Sequence, residues 1–280
     1  MKCIRHFISI TSLLFGTVSP LPGWSETLNC TPISSLPYTI TTQGIYCFTE
    51  NLATSITIGN AIEIQTNNVT VDLNGHKLGG LAAGDGTQAV GIFAYQRKNI
   101  TVKNGIIRGF MNGIRLFGPG SGGHVVKGLL VDQNTYAGIE VEGLGNTVSG
   151  NTVVDTGGST VAGGAIGVIA AGSGAKIVDN EISATVAAST VAAPASGVYV
   201  ANADYSVIQN NTVTGTSANM DASYAIYIIN SAGVFLRNNN VANADYGLVF
   251  SASSGKYFNN LTFDVATPFV GGTAIGSANN

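Results

Sequence analysis

The stretch that decides the fold is GVYVANADYSVIQNNTVTG, residues 197–215. It alternates apolar and polar side chains, breaks at ANADYS, alternates again and then places two asparagines side by side. Such alternation is typical of β-strands with one buried face. A β-hairpin and one coil of a solenoid would both give this local pattern. They differ in recurrence, because only a solenoid repeats the pattern at a regular offset along the chain.

Both halves of this stretch recur over about 200 residues, at steps of 22 to 32 residues. A meander of hairpins would not keep two patterns in step over so many intervals. The sequence therefore predicts short parallel strands stacked in coils, each of which contacts only its neighbours. The first half of the pattern places its inward apolar anchors at Ile62, Ile92, Ile114, Ile139, Ile166, Val198, Ile226 and Leu248.

The second half of the pattern ends in a recurring asparagine. Stacking brings equal positions of successive coils to about 4.8 Å, so an asparagine column can form a ladder of amide hydrogen bonds. Asparagine also tolerates the left-handed backbone of the tight turn after a strand, so Asn210 or Asn211 faces inward. The predicted ladder consists of Asn74, Asn104, Asn151, Asn180, Asn211 and Asn239, with Asn259 or Asn260 as a further member.

The composition supports an all-β globular protein and argues against nucleic-acid binding. Only 10% of the 280 residues are charged and 37 are glycine, which disfavours helices with a solvated face. The apolar fraction of 45% is that of a globular protein. The net charge of −3 gives no sign of a nucleic-acid partner.

The N-terminus has the pattern of a secretory signal peptide. Lys2 and Arg5 precede an apolar segment, residues 7–18, that is too short to span a bilayer. Small residues at positions 23 and 25 predict cleavage after Ser25, which leaves a chain with a net charge of −5 and no predicted membrane span. We therefore expect a secreted protein, either extracellular or periplasmic.

Cys30 and Cys47 remain after removal of residues 1–25. An even pair in an oxidising compartment favours a disulfide. A zinc site would need more ligands than these cysteines and the distant His76 and His124. The sequence thus predicts a Cys30–Cys47 disulfide.

The recurring pattern G-[IV]-x-[VIL] followed by [VI]-x-x-N-x-[VI] resembles the parallel β-helix repeats of the pectin-lyase-like superfamily, over residues 60–265. The resemblance implies a single-stranded, right-handed parallel β-helix of about eight coils. A solenoid end needs a cap. We expect an N-terminal cap at residues 26–59, stapled by the disulfide, and a C-terminal tail or cap at 266–280.

In this superfamily polysaccharide usually lies along one parallel sheet, here the outward neighbours of the anchors. Aromatic rings can pack on sugar faces while tyrosine hydroxyls bond to sugar hydroxyls, although exposed aromatics are also common strand formers. The outward column is predicted as Glu63, Phe93, Arg115, Glu140, Gly167, Tyr199, Tyr227 and Val249. The predicted substrate-binding aromatics are Phe93, Tyr95, Phe117, Tyr199 and Tyr227.

Arg115, Glu140 and Glu142 are the candidate catalytic residues. An arginine can bind a uronate carboxylate as a fork, and two glutamates roughly 6–7 Å apart approach the spacing of an inverting glycosidase. The alternative is that Arg115 and Glu140 form only a surface ion pair without a functional role. The polygalacturonase motifs of the superfamily are missing, and pectate-lyase-like chemistry would require calcium, for which no ligand motif is present.

Three functions therefore remain open. The first is binding of an acidic polysaccharide or cell-surface glycan without recognisable catalysis. The second is a polysaccharide lyase, epimerase or glycoside hydrolase, and the third is a structural or adhesive surface protein. The sequence predicts no metal site, although calcium is a possible cofactor, and it leaves the oligomeric state open.

Overall fold

The computed structural model of the protein describes residues 29–188, 192–219, 221–276 and 279. The predicted signal peptide, residues 1–25, lies outside the described residues. Within these ranges the chain forms 26 strands and one short 3₁₀ helix, Leu81–Ala83. Each coil contributes to three parallel sheets, which we name A, B and C. No helix among the described residues has the length and apolar character needed to cross a membrane.

Sheet A contains the predicted anchors. Its strands pair in parallel, each with the equivalent strand of the next coil. The strands are β2 (Tyr38–Ile40), β5 (Asn60–Ile64), β8 (Val90–Tyr95), β10 (Asn112–Phe117), β12 (Ala137–Glu142), β15 (Ala165–Ala171), β18 (Ala195–Ala201) and β21 (Ser223–Ile229), with the second halves of β23 (Asn240–Ser251) and β25 (Leu261–Val270).

Sheets B and C complete the coil. Sheet B contains β1 (Thr31–Ile33), β3 (Gly44–Phe48), β6 (Val69–Asp72), β13 (Thr147–Ser149), β16 (Lys176–Val178), β19 (Val207–Gln209), β22 (Val234–Arg237), β24 (Gly255–Phe258) and β26 (Thr273–Ala274). Sheet C contains β4 (Leu52–Ala53), β7 (Lys77–Gly79), β14 (Thr152–Gly157), β17 (Glu181–Val186), β20 (Thr212–Ser217) and the first halves of β23 and β25. β9 (Ile100–Arg108) and β11 (Val125–Asp132) pass from sheet B into sheet C.

A glycine column fixes the register of sheet A. A Cβ atom on Gly138 would lie 2.7 Å from the carbonyl oxygen of Gly167, so this position has no room for a side chain. The buried anchor is the residue that follows the glycine. The predicted anchor Ile166 is therefore wrong, because Val168 pairs with Ile139 in that coil. The outward residue there is Ile169, which pairs with Glu140. The column consists of Gly91, Gly113, Gly138, Gly167, Gly197 and Gly247.

The solenoid extends beyond the predicted boundaries at residues 60 and 265. β1 to β4 already pair in parallel with the strands of the next coil, so the residues predicted as a cap form a coil themselves. Cys30 and Cys47 form the predicted disulfide, with their Cα atoms 5.8 Å apart. At the other end, β25 and β26 continue the stack to Ala274. The core runs through all coils as one apolar cluster.

A buried asparagine ladder lies at the turn between sheets B and C. In each step one Oδ1 accepts hydrogen bonds from both the main-chain N–H and the Nδ2 of the asparagine one coil earlier, at 2.9 to 3.1 Å. The Nδ2 groups also donate to main-chain carbonyls. The side chains thus satisfy donors that the turn would otherwise leave buried without partners. The ladder consists of Asn151, Asn180, Asn211, Asn239 and Asn260.

Two predicted members lie outside this ladder. Asn74 and Asn104 have φ values of 48° and 57°, the left-handed backbone that Asn210 adopts one position before the ladder residue Asn211. Nδ2 of Asn104 donates to the carboxylate of Asp72, and Nδ2 of Asn74 donates to the Phe48 carbonyl. Gly105 and Leu129 occupy the ladder position of the two coils before Asn151. The turn has an asparagine at positions 74 and 104 because asparagine tolerates the left-handed backbone, and not because its side chain joins the ladder.

Asn211→Ala should lower the free energy of unfolding by about 3–5 kcal/mol, because it leaves several buried hydrogen-bonding groups unpaired. Asn210→Gly is the control, since glycine retains the left-handed backbone and should change stability by less than about 1 kcal/mol. Urea unfolding of both variants measures the difference. Equal effects would show that the ladder adds nothing beyond turn conformation.

Candidate functional site

An ion pair lies at the centre of the outer face of sheet A. Arg115 in β10 pairs in register with Glu140 in β12. The Arg115 Nε atom lies 2.9 Å from Oε2 of Glu140, and Asn112 Nδ2 donates to the same oxygen at 2.8 Å. The Glu140 side chain is only 8% exposed, whereas Arg115 is 37% exposed. A carboxylate on the outer face is therefore almost removed from solvent.

Burial raises the pKa of Glu140 above its usual value, and this effect outweighs the opposing positive charge and hydrogen bond of Arg115. The nearby charge of Glu142 raises the pKa further, while the hydrogen bond from Asn112 lowers it. Burial therefore favours the protonated, uncharged form of Glu140 more than it would in an exposed surface glutamate.

The structure brings the three predicted catalytic residues into one patch on two neighbouring strands. Glu142 follows Glu140 by two residues along β12, and its Oε2 accepts a hydrogen bond from the Gly118 N–H at 3.2 Å. The Arg115 guanidinium forms the ion pair with Glu140 and lies over the Phe117 ring, 4.0 Å from its centroid. The patch thus contains two carboxylates and an arginine whose charge is already paired.

Aromatic rings flank this patch toward the N-terminal coils. Phe93 and Phe117 meet edge to face with ring centroids 5.6 Å apart. Tyr95 lies on the other side of Phe117 at 5.0 Å and is exposed. Together with Arg115 they form a half-buried apolar surface beside the ion pair.

A tyrosine cluster flanks the patch toward the C-terminal coils. Tyr199 and Tyr227 pair in register, with ring centroids 5.8 Å apart. Tyr224 stacks on Tyr227 at 4.5 Å and on Tyr246 at 5.2 Å. The sequence prediction included Tyr199 and Tyr227 but missed the other two. Tyr224 and Tyr246 each precede an anchor by two residues, and this recurrence was the signal that could have identified them.

A cleft of about 530 Å³ opens at the corner where the chain passes from sheet C to sheet A. Its walls include Ser223, Asn243, Asp245 and Asp264. Oδ2 of Asp245 accepts hydrogen bonds from the N–H and the hydroxyl of Ser223. Because Tyr224 and Tyr246 directly follow two of these residues, the cleft adjoins the tyrosine cluster. In the described part of the chain, no three His, Cys, Asp or Glu side chains are grouped to hold a metal ion.

Ser121 and His124 form a buried pair that is arranged for structure and not for nucleophilic catalysis. Nδ1 of His124 accepts from the Ile100 N–H at 3.2 Å, so the ring proton is on Nε2 and points to the Ser121 hydroxyl at 2.7 Å. The Ser121 hydroxyl then donates to the Arg97 carbonyl at 3.1 Å. A serine activated by histidine would need its proton to point the opposite way. Burial lowers the pKa of His124 to about 4.

Comparisons with known proteins agree with the parallel stacking of coils in this structure. The family model described as right handed beta helix region matches residues 166–269. The chain is a right-handed parallel β-helix. This confirms the fold that the resemblance to pectin-lyase-like repeats implied.

Among solved structures, the β-helix is similar to the enzymatically active domain of tailspike protein 2 from bacteriophage CBA120, at TM-score 0.52 and 13% identity over 84% of this chain and 42% of that one. It is also similar to the Dettilon tailspike protein, at TM-score 0.53 and 13% identity over 89% and 59%. PfbA, a surface adhesin of Streptococcus pneumoniae, matches at TM-score 0.54 and 14% identity over 80% and 61%.

The chain thus spans 42% to 61% of the length of these structures. At such low identity the likeness extends to the fold alone. No curated protein sequence matches the chain.

Glu140→Gln should raise the free energy of unfolding at pH 7. A carboxyl with a raised pKa makes the folded state lose stability as pH rises above the ordinary carboxyl value, and glutamine removes that loss. Urea unfolding at pH 7 and pH 4 should show the gain only at pH 7. Glu142→Gln is the matched control, with a change within about 0.5 kcal/mol. A less stable Glu140→Gln at pH 7 would mean that the Arg115 pair outweighs burial.

The neutral His124 imidazole should make stability depend on pH. Its folded pKa of about 4 lies below the unfolded value of 6.5, so the stability it contributes is fully present above pH 6.5. This contribution falls as pH drops from 6.5 toward 4, by about 3 kcal/mol in total. The fall should disappear in His124→Asn, and NMR titration of the wild-type imidazole should show no protonation above pH 5. A titration near pH 6.5 would contradict the assigned hydrogen bonds.

Proposed function

We propose that this β-helix binds an extended glycan chain along the outer face of sheet A. The observation that supports it most is a band of aromatic and polar side chains that runs from β8 to β23 and spans seven neighbouring strands, with a break at β15, where the outward residue is Ile169. At about 4.8 Å per strand the band is about 29 Å long, enough for several sugar units. The band consists of Phe93, Tyr95, Asn112, Arg115, Phe117, Glu140, Glu142, Tyr199, Tyr224, Tyr227 and Tyr246.

The chemistry of the band suits sugars. Half-buried rings of Phe117 and Tyr227 present flat apolar surface for the C–H faces of a sugar ring, and tyrosine hydroxyls add hydrogen bonds. Glu142 supplies a carboxylate acceptor between the two aromatic clusters. The rings hold one another in place by stacking, so little side-chain entropy is lost on binding.

A neutral glycan fits this face better than the acidic one expected from the sequence. That expectation relied on a free Arg115, but the Arg115 charge is paired with Glu140. The sheet A strands have one basic residue against three acidic residues, Glu63, Glu140 and Glu142. A uronate carboxylate would therefore meet a face of net negative charge.

We place this activity outside the cytoplasm. The Cys30–Cys47 disulfide is of the kind that persists in oxidising compartments, and the sequence predicts a signal peptide at residues 1–25. One similar structure is a surface adhesin and two are tailspike proteins. The secreted location and the glycan are parts of the same proposal.

Cleavage of the bound glycan is a second candidate function. It is favoured by the buried Glu140, whose pKa is raised, beside the second carboxylate of Glu142. One similar structure is described as an enzymatically active domain. Glu140 in this role would donate a proton to the leaving oxygen, and Glu142 would activate water. A product assay on any glycan that binds separates this function from binding alone.

Tyr227→Ala should weaken binding of a neutral glycan by about 2- to 12-fold, the loss expected for one stacked ring. The measurement is a glycan-array screen of the purified protein, followed by calorimetry on the best ligand. Tyr205→Ala is the matched control, because Tyr205 is 75% exposed in a turn away from the band and should bind as wild type. Equal affinities for wild type and Tyr227→Ala, or no neutral ligand on the array, would favour a structural or adhesive role.

A further inference from the structure

Positive charge is concentrated on sheet B. Its strands contain five basic residues and one acidic residue, Asp72, although the whole chain has a net charge of −3. The strands of sheet A have more acidic than basic residues, and so do those of sheet C, with Asp132, Asp155, Glu181, Asp245 and Asp264. The basic residues of sheet B are Lys103, Lys127, Lys176, Arg237 and Lys256.

Most of these cations are not neutralised by neighbouring side chains. Lys103 pairs with the fully buried carboxylate of Asp72 at 2.8 Å. Lys127, Lys176 and Lys256 are exposed, and none of them forms an ion pair within the described ranges. Three free ammonium groups therefore face solvent on one side of the molecule.

The cations form a strip along the solenoid axis. Lys127 pairs in register with Lys103, Lys176 lies two strands further on, and Lys256 lies three strands beyond Lys176. Six steps of about 4.8 Å give the strip a length of about 29 Å. At its C-terminal end Arg237 lies 5.8 Å from the Phe235 ring centroid, with Phe258 against the same ring.

We propose that the outer face of sheet B is a second binding surface, for a linear polyanionic polysaccharide. A polymer laid along the axis would meet a cation at every one to three strands. Each contact releases counterions, which makes such binding strongly dependent on salt. The proposal concerns a different face and a different ligand charge from the neutral glycan of sheet A, so it does not depend on that proposal.

A polysaccharide suits the strip better than a membrane surface. Stable membrane docking combines basic residues with apolar side chains that insert between lipids. In the described part of sheet B, only Ile45 is a large exposed apolar residue, and it lies at the N-terminal end. The strip is also only one sheet wide, which matches a polymer chain in shape.

The test compares two variants of equal net charge. Lys127→Gln with Lys176→Gln removes two positive charges from sheet B. Gln88→Glu with Asn243→Asp adds two negative charges at exposed positions near the corner between sheets C and A. The probes are immobilised heparin, polygalacturonate and neutral dextran, together with vesicles of phosphatidylglycerol, each with a series of salt concentrations.

The wild type should bind a polyanionic probe, and the lysine variant should bind it about 10- to 30-fold more weakly at low salt. The slope of log affinity against log salt should fall by about two units, while the control variant keeps the wild-type slope. Unchanged binding in the lysine variant, or an equal loss in the control, would overturn the proposal. So would failure of the wild type to bind either polyanion, or equally strong binding to vesicles of phosphatidylglycerol.

Discussion

Parallel hydrogen bonding between coils is the constraint on which the rest of the structure depends. Each coil is too small to bury its own apolar residues, so it is stable only against its neighbours. Two columns make close stacking possible. The glycines before the sheet A anchors leave room for the backbone of the next coil, and the buried asparagines satisfy donors at the turn between sheets B and C.

The same stacking converts a position within the coil into a line on the surface. Residues such as Tyr199 and Tyr227 are far apart in sequence and adjacent in sheet A. Charge is sorted in the same way, because sheet B collects lysines while the other two sheets are acidic. A solenoid therefore presents several long, parallel and chemically different surfaces, which suits it to extended polymers.

Glu140 occupies a position on the proposed glycan-binding face where its charge is disfavoured. Its carboxylate is buried on an outer face, and burial disfavours its charged form in spite of Arg115 and Asn112. A glutamine would fit the same space without that free-energy cost. Residues that reduce stability in this way are commonly found in binding and catalytic sites.

The sequence alone determined the parallel β-helix, seven of the eight anchors and most of the aromatic band, because each of these depends on local periodicity. It also determined the disulfide, because only two cysteines follow the predicted signal peptide. It placed Ile166, Asn74 and Asn104 incorrectly, since coils of unequal length hide which residues share a column. Only the tertiary structure decided that Arg115 is neutralised by Glu140, that Tyr224 and Tyr246 extend the tyrosine cluster, and that lysines from four coils form one strip. Such features depend on register between coils, which is set by backbone stacking and not by the sequence of any single coil.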